Sequence, residues 1–154
     1  MNKVEKFFQK SGWSFQIQYL PQSTATVQLA AQALCVPPER IAKTLALQLK
    51  NSFIVIVFAG TSRIDNQKYK KQFGVKPKMI SHSDTLEHIG HPVGGVCPFA
   101  LPDNIAVYLD ESLLAFDYIY PAAGTDNSAV KMTPQELQQV TSATWVHVSQ
   151  SNIT

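Results

Sequence analysis

Cysteine is scarce in this sequence: Cys35 and Cys97 are the only two in 154 residues. That is too few for the disulfide framework of a small secreted scaffold, and it fits a reducing compartment. Charge is sparse as well, at 16% of residues, and there are only seven glycines and nine prolines. Disordered and collagen-like chains have very different compositions. Long apolar runs are missing too. The longest, Phe53 to Gly60, is strand-sized, against the roughly 20 residues that a membrane-spanning helix requires. The opening Met1-Asn2-Lys3-Val4-Glu5-Lys6 has no apolar stretch of the secretory kind, so the expected address is the cytoplasm. What is present, 45% hydrophobic residues, suits one domain over 1–154 that buries about two-thirds of its unfolded surface.

Basic residues all but vanish after Lys78. Residues 1–78 hold twelve Lys/Arg and three Asp/Glu, whereas 79–154 hold one Lys and eight Asp/Glu, a split that the net charge of +2 conceals. The densest run has Arg63, Lys68, Lys70, Lys71, Lys76 and Lys78 against a single acid, Asp65. Such a run can neutralise nucleic-acid phosphates, or it can simply be a solvated helix face.

Periodicity predicts a helix over residues 3–10, an alternating strand from Ser14 to Tyr19, and a helix started by Ser23/Thr24 and ended before Pro37-Pro38. A hairpin follows, with strands Ile41 to Leu49 and Phe53 to Phe58. The second strand is apolar on both faces and therefore central. A basic helix is expected around Asp65 to Phe73, a short strand at Met79-Ile80, and a helix opened by Asp84 and closed at Gly90. Beyond the turn-rich loop 91–104, strands are expected at Ile105 to Asp110, Asp117 to Tyr120, Ser128 to Met132 and Thr144 to Val148. Thr133-Pro134-Gln135-Glu136 starts a helix with cap, proline and capping glutamate. Irregular interleaving with a hairpin argues for an α/β (α+β) fold with a mixed sheet wrapped by helices.

Two features carry chemistry. Period-2 spacing puts Lys43 on the face of Leu45, Leu47 and Leu49, so it must snorkel to water, find an anion, or lose its proton. In Gly94-Gly95-Val96-Cys97-Pro98 the paired glycines let backbone N–H groups approach a ligand oxygen, as in an oxyanion hole, although tight turns use the same residues. Metal binding is weighed because His82, His88, His91 and Cys97 lie close in sequence. Their spacing fits no zinc template, so none is assigned. Cys97 lacks a helix N-terminus to activate a thiolate, and both cysteines are read as packing residues.

In order and spacing, several segments act together: Ile41-Ala42-Lys43-Thr44-Leu45, Phe58-Ala59-Gly60-Thr61-Ser62-Arg63-Ile64-Asp65, Ile89 to Phe99, Leu109-Asp110-Glu111-Ser112-Leu113-Leu114, and Ala122-Ala123-Gly124-Thr125-Asp126-Asn127 before Met132 to Leu137. From about Thr24 to Val140 the chain resembles the YbaK/EbsC family of aminoacyl-tRNA deacylases, which includes the editing domain inserted in bacterial-type prolyl-tRNA synthetases. The resemblance implies a YbaK-like, partly barrel-shaped mixed sheet with helices outside. It also implies a trans-editing hydrolase that cuts the ester of a mischarged tRNA, tRNA-Pro carrying a small or polar amino acid, with no cofactor. The family's essential lysine maps onto Lys43 and its glycine loop onto Gly94 to Pro98. Family members usually have glycine after Phe99, where this chain has Ala100-Leu101.

The catalytic group expected on this basis is Lys43 with the backbone N–H groups of Gly95, Val96 and Cys97. The substrate pocket is expected to draw on Tyr19, Gly94, Pro98, Asp110, Gly124, Thr125, Asp126 and Asn127, with Asp110 and Asp126 as acids for the substrate ammonium. Arg63, Lys68, Lys70 and Lys71 are expected on the tRNA backbone. The implied partners are aminoacyl-tRNA and, second to it, an aminoacyl-tRNA synthetase, with neither DNA nor membrane. Two rivals stand beside this reading: a non-catalytic module that binds aminoacyl-tRNA or a synthetase, and a metal-dependent hydrolase using His82, His88 and His91.

Overall fold

The computed structural model describes residues 2–150; of the expected domain 1–154, Met1 and 151–154 lie outside the described residues. Helix α1 (Lys3–Lys10) is capped by the Asn2 side chain, which accepts from the Glu5 N–H. Strand β1 (Ile17–Tyr19) is shorter than the expected Ser14 to Tyr19. Helix α2 (Val27–Leu34) is capped by Thr26, not by Ser23/Thr24. Its C-cap is Cys35 in the left-handed region at φ 57°, and this side chain is exposed, contrary to its reading as a packing residue.

Strands β2 (Ile41–Gln48) and β3 (Phe53–Ala59) form the expected hairpin, with Lys43 opposite Phe58 and Leu47 opposite Ile54. Helix α3 (Asn66–Phe73) follows, its N-cap Asp65 accepting from the N–H groups of Gln67 and Lys68. The expected strand at Met79-Ile80 reduces to a single bridge between Met79 and Leu47. The helix expected from Asp84 begins earlier as the short α4 (His82–Asp84), capped by Ser81, and continues as a π-helical turn, Thr85–Ile89.

The remaining strands are β4 (Ala106–Asp110), β5 (Tyr120–Pro121), β6 (Ser128–Val130) and β7 (Thr144–Val146). The strand expected from Asp117 is confined to the last residue of that stretch and the proline after it. Helix α5 (Pro134–Thr141) carries the expected capping box between Thr133 and Glu136.

The main sheet runs β5-β2-β3-β4-β7 and is mixed: β2 and β3 are antiparallel, and β3, β4 and β7 are mutually parallel. Strands β1 and β6 form a second ribbon, tied to the first sheet by bridges between Ala122 and Ala129 and between Ile119 and Met132. This curls the structure toward a barrel. Strand β3 is central and buried on both sides. Ile54, Ile56 and Phe58 meet Leu47 and Tyr69 of α3 on one face, while Val57 and Ala59 meet Val4, Phe8, Leu137 and Val140 of α1 and α5 on the other.

Candidate active site

Strand β5 pairs only with Ile41 and Ala42, so β2 becomes an edge strand just where Lys43 and Thr44 begin. Farther along, the Ala46 carbonyl accepts from the Ile80 N–H at 3.2 Å and the Gln48 N–H donates to Lys78 at 2.8 Å. The alternation of an antiparallel ladder therefore points the main chain of Thr44 outward between these two paired stretches. A cavity of about 410 Å³ opens at this edge. Its polar groups include those of Thr24, Thr26, Lys43, Thr44, His82 and Ser128. Apolar residues complete it, small ones such as Ala30, Ala42, Ala46, Ala122 and Ala129 beside larger ones such as Leu45 and Met79, with Gly94 and Val96. The Thr44 hydroxyl is buried and has no hydrogen-bond partner among the described residues, an arrangement that leaves it ready for a ligand.

Lys43 borders this cavity from the α3 side of the sheet, since it shares a face with Phe58. The glycine loop closes it from the other side, where Val96 packs on the cluster of Ala46 and Val55. The Lys43 ammonium donates to the Ser62 carbonyl. Burial lowers its pKa from the ordinary lysine value, and the Arg63 charge lowers it further. The two parts of the expected catalytic group therefore meet around a strand edge rather than across a sheet face.

The glycine loop is held by three neighbours. At Gly94, φ is +90°, and a Cβ there would lie 3.1 Å from Ala25 Cβ and 3.8 Å from Asp126 Cβ. A Cβ on Gly95 would lie 3.0 Å from three backbone atoms of Thr125. The Gly95 N–H donates to the Pro92 carbonyl at 2.9 Å, so this amide is already engaged, contrary to its expected role as an oxyanion donor.

Behind the loop lies His91, fully buried, its Nε2 2.7 Å from the Phe99 carbonyl oxygen. Burial lowers its pKa, so the ring is neutral near pH 7, Nε2 carries the proton that it donates, and Nδ1 has no partner among the described residues. That Nδ1 faces Gly124, 3.5 Å from where its Cβ would be. Helix α1 braces the same region: the Lys3 ammonium donates to the Gly90 carbonyl, and Phe8 meets Phe99 edge-on at 5.0 Å.

Other expected site residues divide. Pro98 is buried behind the loop. Gly124, Thr125, Asp126 and Asn127 do not line the cavity, contrary to their expected place in the substrate pocket, and neither does Pro98; the segment lies between Ala122 and Ser128, which do, and is tightly tied. Thr125 Oγ1 lies 2.9 Å from Asn127 Oδ1 and 2.6 Å from Ser128 Oγ, and the Asp126 carbonyl accepts from the Thr24 N–H at 2.6 Å.

Three further expectations are corrected by the geometry. Asp110 is fully buried, its oxygens accepting from the N–H groups of Ser112 at 2.9 Å and Val148 at 2.8 Å, so it caps a turn and does not line the cavity. Tyr19 is exposed, its hydroxyl donating to Glu5 and accepting from Asn2 at 2.8 Å, and it does not line the cavity either. Cys97 is fully buried, and burial pushes its thiol up to about 12. Its backbone stays next to the site, but its sulfur is inert. Iodoacetamide applied to native protein is accordingly expected to label Cys35 and spare Cys97, which peptide mass spectrometry checks; rapid labelling of Cys97 contradicts this burial.

The basic residues follow α3. Arg63, Lys70 and Lys71 are exposed, while Lys68 donates to the Ser149 carbonyl at 2.9 Å. The three histidines do not converge: His82 lines the cavity, His88 packs against Phe53 at 4.6 Å, and His91 is buried. Among the described residues, the one group with metal-ligand spacing is Asp84, Glu87 and His88, on the α4 turn and the π-helical turn after it. No helix among them is long and apolar enough to cross a membrane.

Thr24, Thr26 and Ser128 are lining residues that the sequence reading missed. Their one sequence signal is a small hydroxyl residue beside a turn, which is common everywhere.

The family model for the aminoacyl-tRNA editing domain matches residues 21–140. A Bacillus subtilis (strain 168) protein of uncharacterized function, YwhH, is 44% identical over 128 residues, 82% of each chain. EbsC of Enterococcus faecalis (strain ATCC 700802 / V583), a candidate Cys-tRNA(Pro)/Cys-tRNA(Cys) deacylase by its name, is 25% identical over 126 residues, covering 80% of this chain and 77% of that one. The crystal structure of a candidate trans-editing enzyme for prolyl tRNA synthetase superposes with TM-score 0.87 at 25% identity, over 98% of this chain and 99% of that one. With the edge-strand lysine, the glycine loop and the mixed sheet in place, the chain belongs to the aminoacyl-tRNA editing domain family, and its fold is that family's YbaK-like fold.

Proposed function

We propose that this protein is an aminoacyl-tRNA deacylase acting in trans, which hydrolyses the ester between a small, neutral, wrongly attached amino acid and the 3′-terminal adenosine of a tRNA, with tRNA-Pro as the first candidate. The observation that carries this reading is the shared cavity: Lys43, the unpartnered Thr44 hydroxyl, Gly94 and Val96 all border it. The names of EbsC and of the prolyl trans-editing structure support the same chemistry.

In this reading water attacks the ester carbonyl carbon, the bond to the ribose oxygen breaks, and that oxygen takes the proton that water gives up. An aminoacyl ester is already labile, so the protein's work is positioning and charge stabilisation. With the Gly95 amide engaged on Pro92, the Val96 N–H is the oxyanion donor assigned here. The Thr44 hydroxyl and outward main chain orient the aminoacyl group. The Lys43 ammonium, drawn toward Ser62, holds the phosphate on the 5′ side of the terminal adenosine. Selection rests on the size of the space left for the amino-acid side chain once the ester and the adenosine share the cavity of about 410 Å³.

The deciding experiment charges tRNA-Pro and the cognate tRNAs with alanine, cysteine, serine or threonine, and follows acid-precipitable counts with EDTA present. Release above the spontaneous rate for at least one small residue, with Pro-tRNA-Pro spared, is expected. Salt-sensitive tRNA binding without release favours the non-catalytic module instead. Activity that EDTA abolishes favours the metal-dependent hydrolase.

A further inference from the structure

A second cavity, of about 300 Å³, opens beside the Gly60 to Arg63 segment. Ser62, Glu111, Phe116, His147 and Gln150 are among its walls. It sits where β3, β4 and β7 end, and these three strands run parallel. The crevice outside the carboxyl ends of parallel strands is a recurrent ligand position in α/β sheets.

Its chemistry is mixed. Phe116 and Ala115 supply apolar surface. Glu111 presents a carboxylate 3.5 Å from His147 Nδ1, and His147 Nε2 lies 3.1 Å from the Lys68 ammonium. An ammonium can only donate, so Nε2 accepts and Nδ1–H faces the carboxylate. The acid stands exposed at the cavity wall with acceptor capacity to spare. An apolar surface beside such a carboxylate suits a nucleobase that carries an exocyclic amine, and cytosine donates from such an amine to Glu.

The two cavities meet at one hydrogen bond. Lys43 borders the first, Ser62 the second, and the Lys43 ammonium donates to the Ser62 carbonyl. Arg63 follows directly, and among the described residues neither cation has a carboxylate within ion-pair distance. Two neighbouring cations without an acid between them favour an anion at that point.

We propose that the second cavity is a subsite for the nucleotide on the 5′ side of the terminal adenosine, the penultimate cytidine of the tRNA, with the phosphodiester that joins the two held by Lys43 and Arg63. This rests on the deacylase reading above. It gives the 3′ end a continuous course: aminoacyl-adenosine in the first cavity, phosphate at Lys43, cytosine against Glu111 and Phe116, and the preceding backbone toward Lys68 and the exposed lysines of α3.

The test compares alanyl-adenosine, alanyl-cytidylyl-adenosine and alanyl-uridylyl-adenosine as substrates of the full chain, and the corresponding 3′-amide analogues in equilibrium binding. The cytidine-containing substrate is expected to give a kcat/KM about tenfold above alanyl-adenosine, and an analogue bound about tenfold tighter. Phe116→Ala is expected to bring both ratios toward one, and Glu111→Gln to remove the preference for cytidine over uridine. Equal kcat/KM and equal binding for the one- and two-nucleotide compounds overturn the subsite, as do ratios that neither variant moves. If none of the alanyl compounds is hydrolysed, the binding ratios decide the subsite by themselves, while the deacylase reading stands or falls with the mischarged-tRNA panel above.

Discussion

Lys43→Ala is expected to lower kcat/KM for deacylation by about 10²- to 10³-fold, the range for removing one preorganised electrostatic group from an active site, while leaving the fold at least as stable as before. The two halves of this result have one cause. The ammonium is half-buried and hydrogen-bonded to a single carbonyl, and burial and the neighbouring guanidinium both disfavour its charge. Such a group costs stability in the empty protein and is retained for what it does to a ligand. The measurement is a single-turnover deacylation assay beside thermal unfolding. A variant with full activity removes Lys43 from the site. A variant that is inactive and also unfolds well below the wild-type temperature makes its role structural.

The pH dependence of the same pair follows from the direction of the shift. The folded protein holds the Lys43 proton less tightly than the unfolded chain does, so the unfolded state binds more protons and wild-type stability rises with pH between the lowered value and the ordinary lysine value. Activity runs the other way. If the cation anchors phosphate, enhancement over spontaneous hydrolysis falls as pH climbs through the lowered pKa, and Lys43→Ala loses that alkaline limb. A rate enhancement that grows through this range instead assigns Lys43 the part of a neutral base.

Local grammar made much of the fold legible in advance. A run apolar on both faces had to be the central strand, and Phe53–Ala59 is one. Thr133 announced the helix that it caps, because a short side-chain acceptor can satisfy N–H groups that the first turn leaves open. Elsewhere the nearest capping residue misled: Thr26 and Ser81 took the roles expected of Ser23/Thr24 and Asp84.

The site was legible only as a set of parts. Period-2 spacing gave the face of Lys43, but its position at an open edge depends on how few residues β5 pairs, which Tyr120 and Pro121 decide from far along the chain. Likewise the cavity is walled from several separate segments, and no local pattern marks a space that side chains fail to fill. The burial of Cys97 and Asp110 and the engagement of the Gly95 amide are tertiary facts of the same kind.

Gly95→Ala is expected to cut kcat/KM by about 100-fold, since displacements near 1 Å at a positioned site cost that much, with a loss of stability of about 1–3 kcal/mol from overpacking. Gly95 needs no left-handed conformation; what excludes a side chain is space. Its Cβ would stand 3.0 Å from the N, Cα and C atoms of Thr125, and backbone cannot swing aside as a side-chain end can. Nor is the Thr125 segment free to retreat. Its hydroxyl is tied to Asn127 and Ser128, the Asp126 carbonyl to Thr24, and the Asn127 carbonyl to the Leu20 N–H at 2.8 Å. The glycine loop must therefore move instead, taking the Val96 amide away from the ester carbonyl. Gly124→Ala is a useful contrast: its Cβ would meet the end of the Val4 side chain at 2.9 Å, on the side away from the cavity, and its φ of +92° adds backbone strain. It should lower the unfolding temperature while sparing more of the rate. Single-turnover rates at saturating enzyme separate these effects from weakened tRNA binding, and a Gly95→Ala protein that cleaves mischarged tRNA at the wild-type rate excludes the loop from the chemistry.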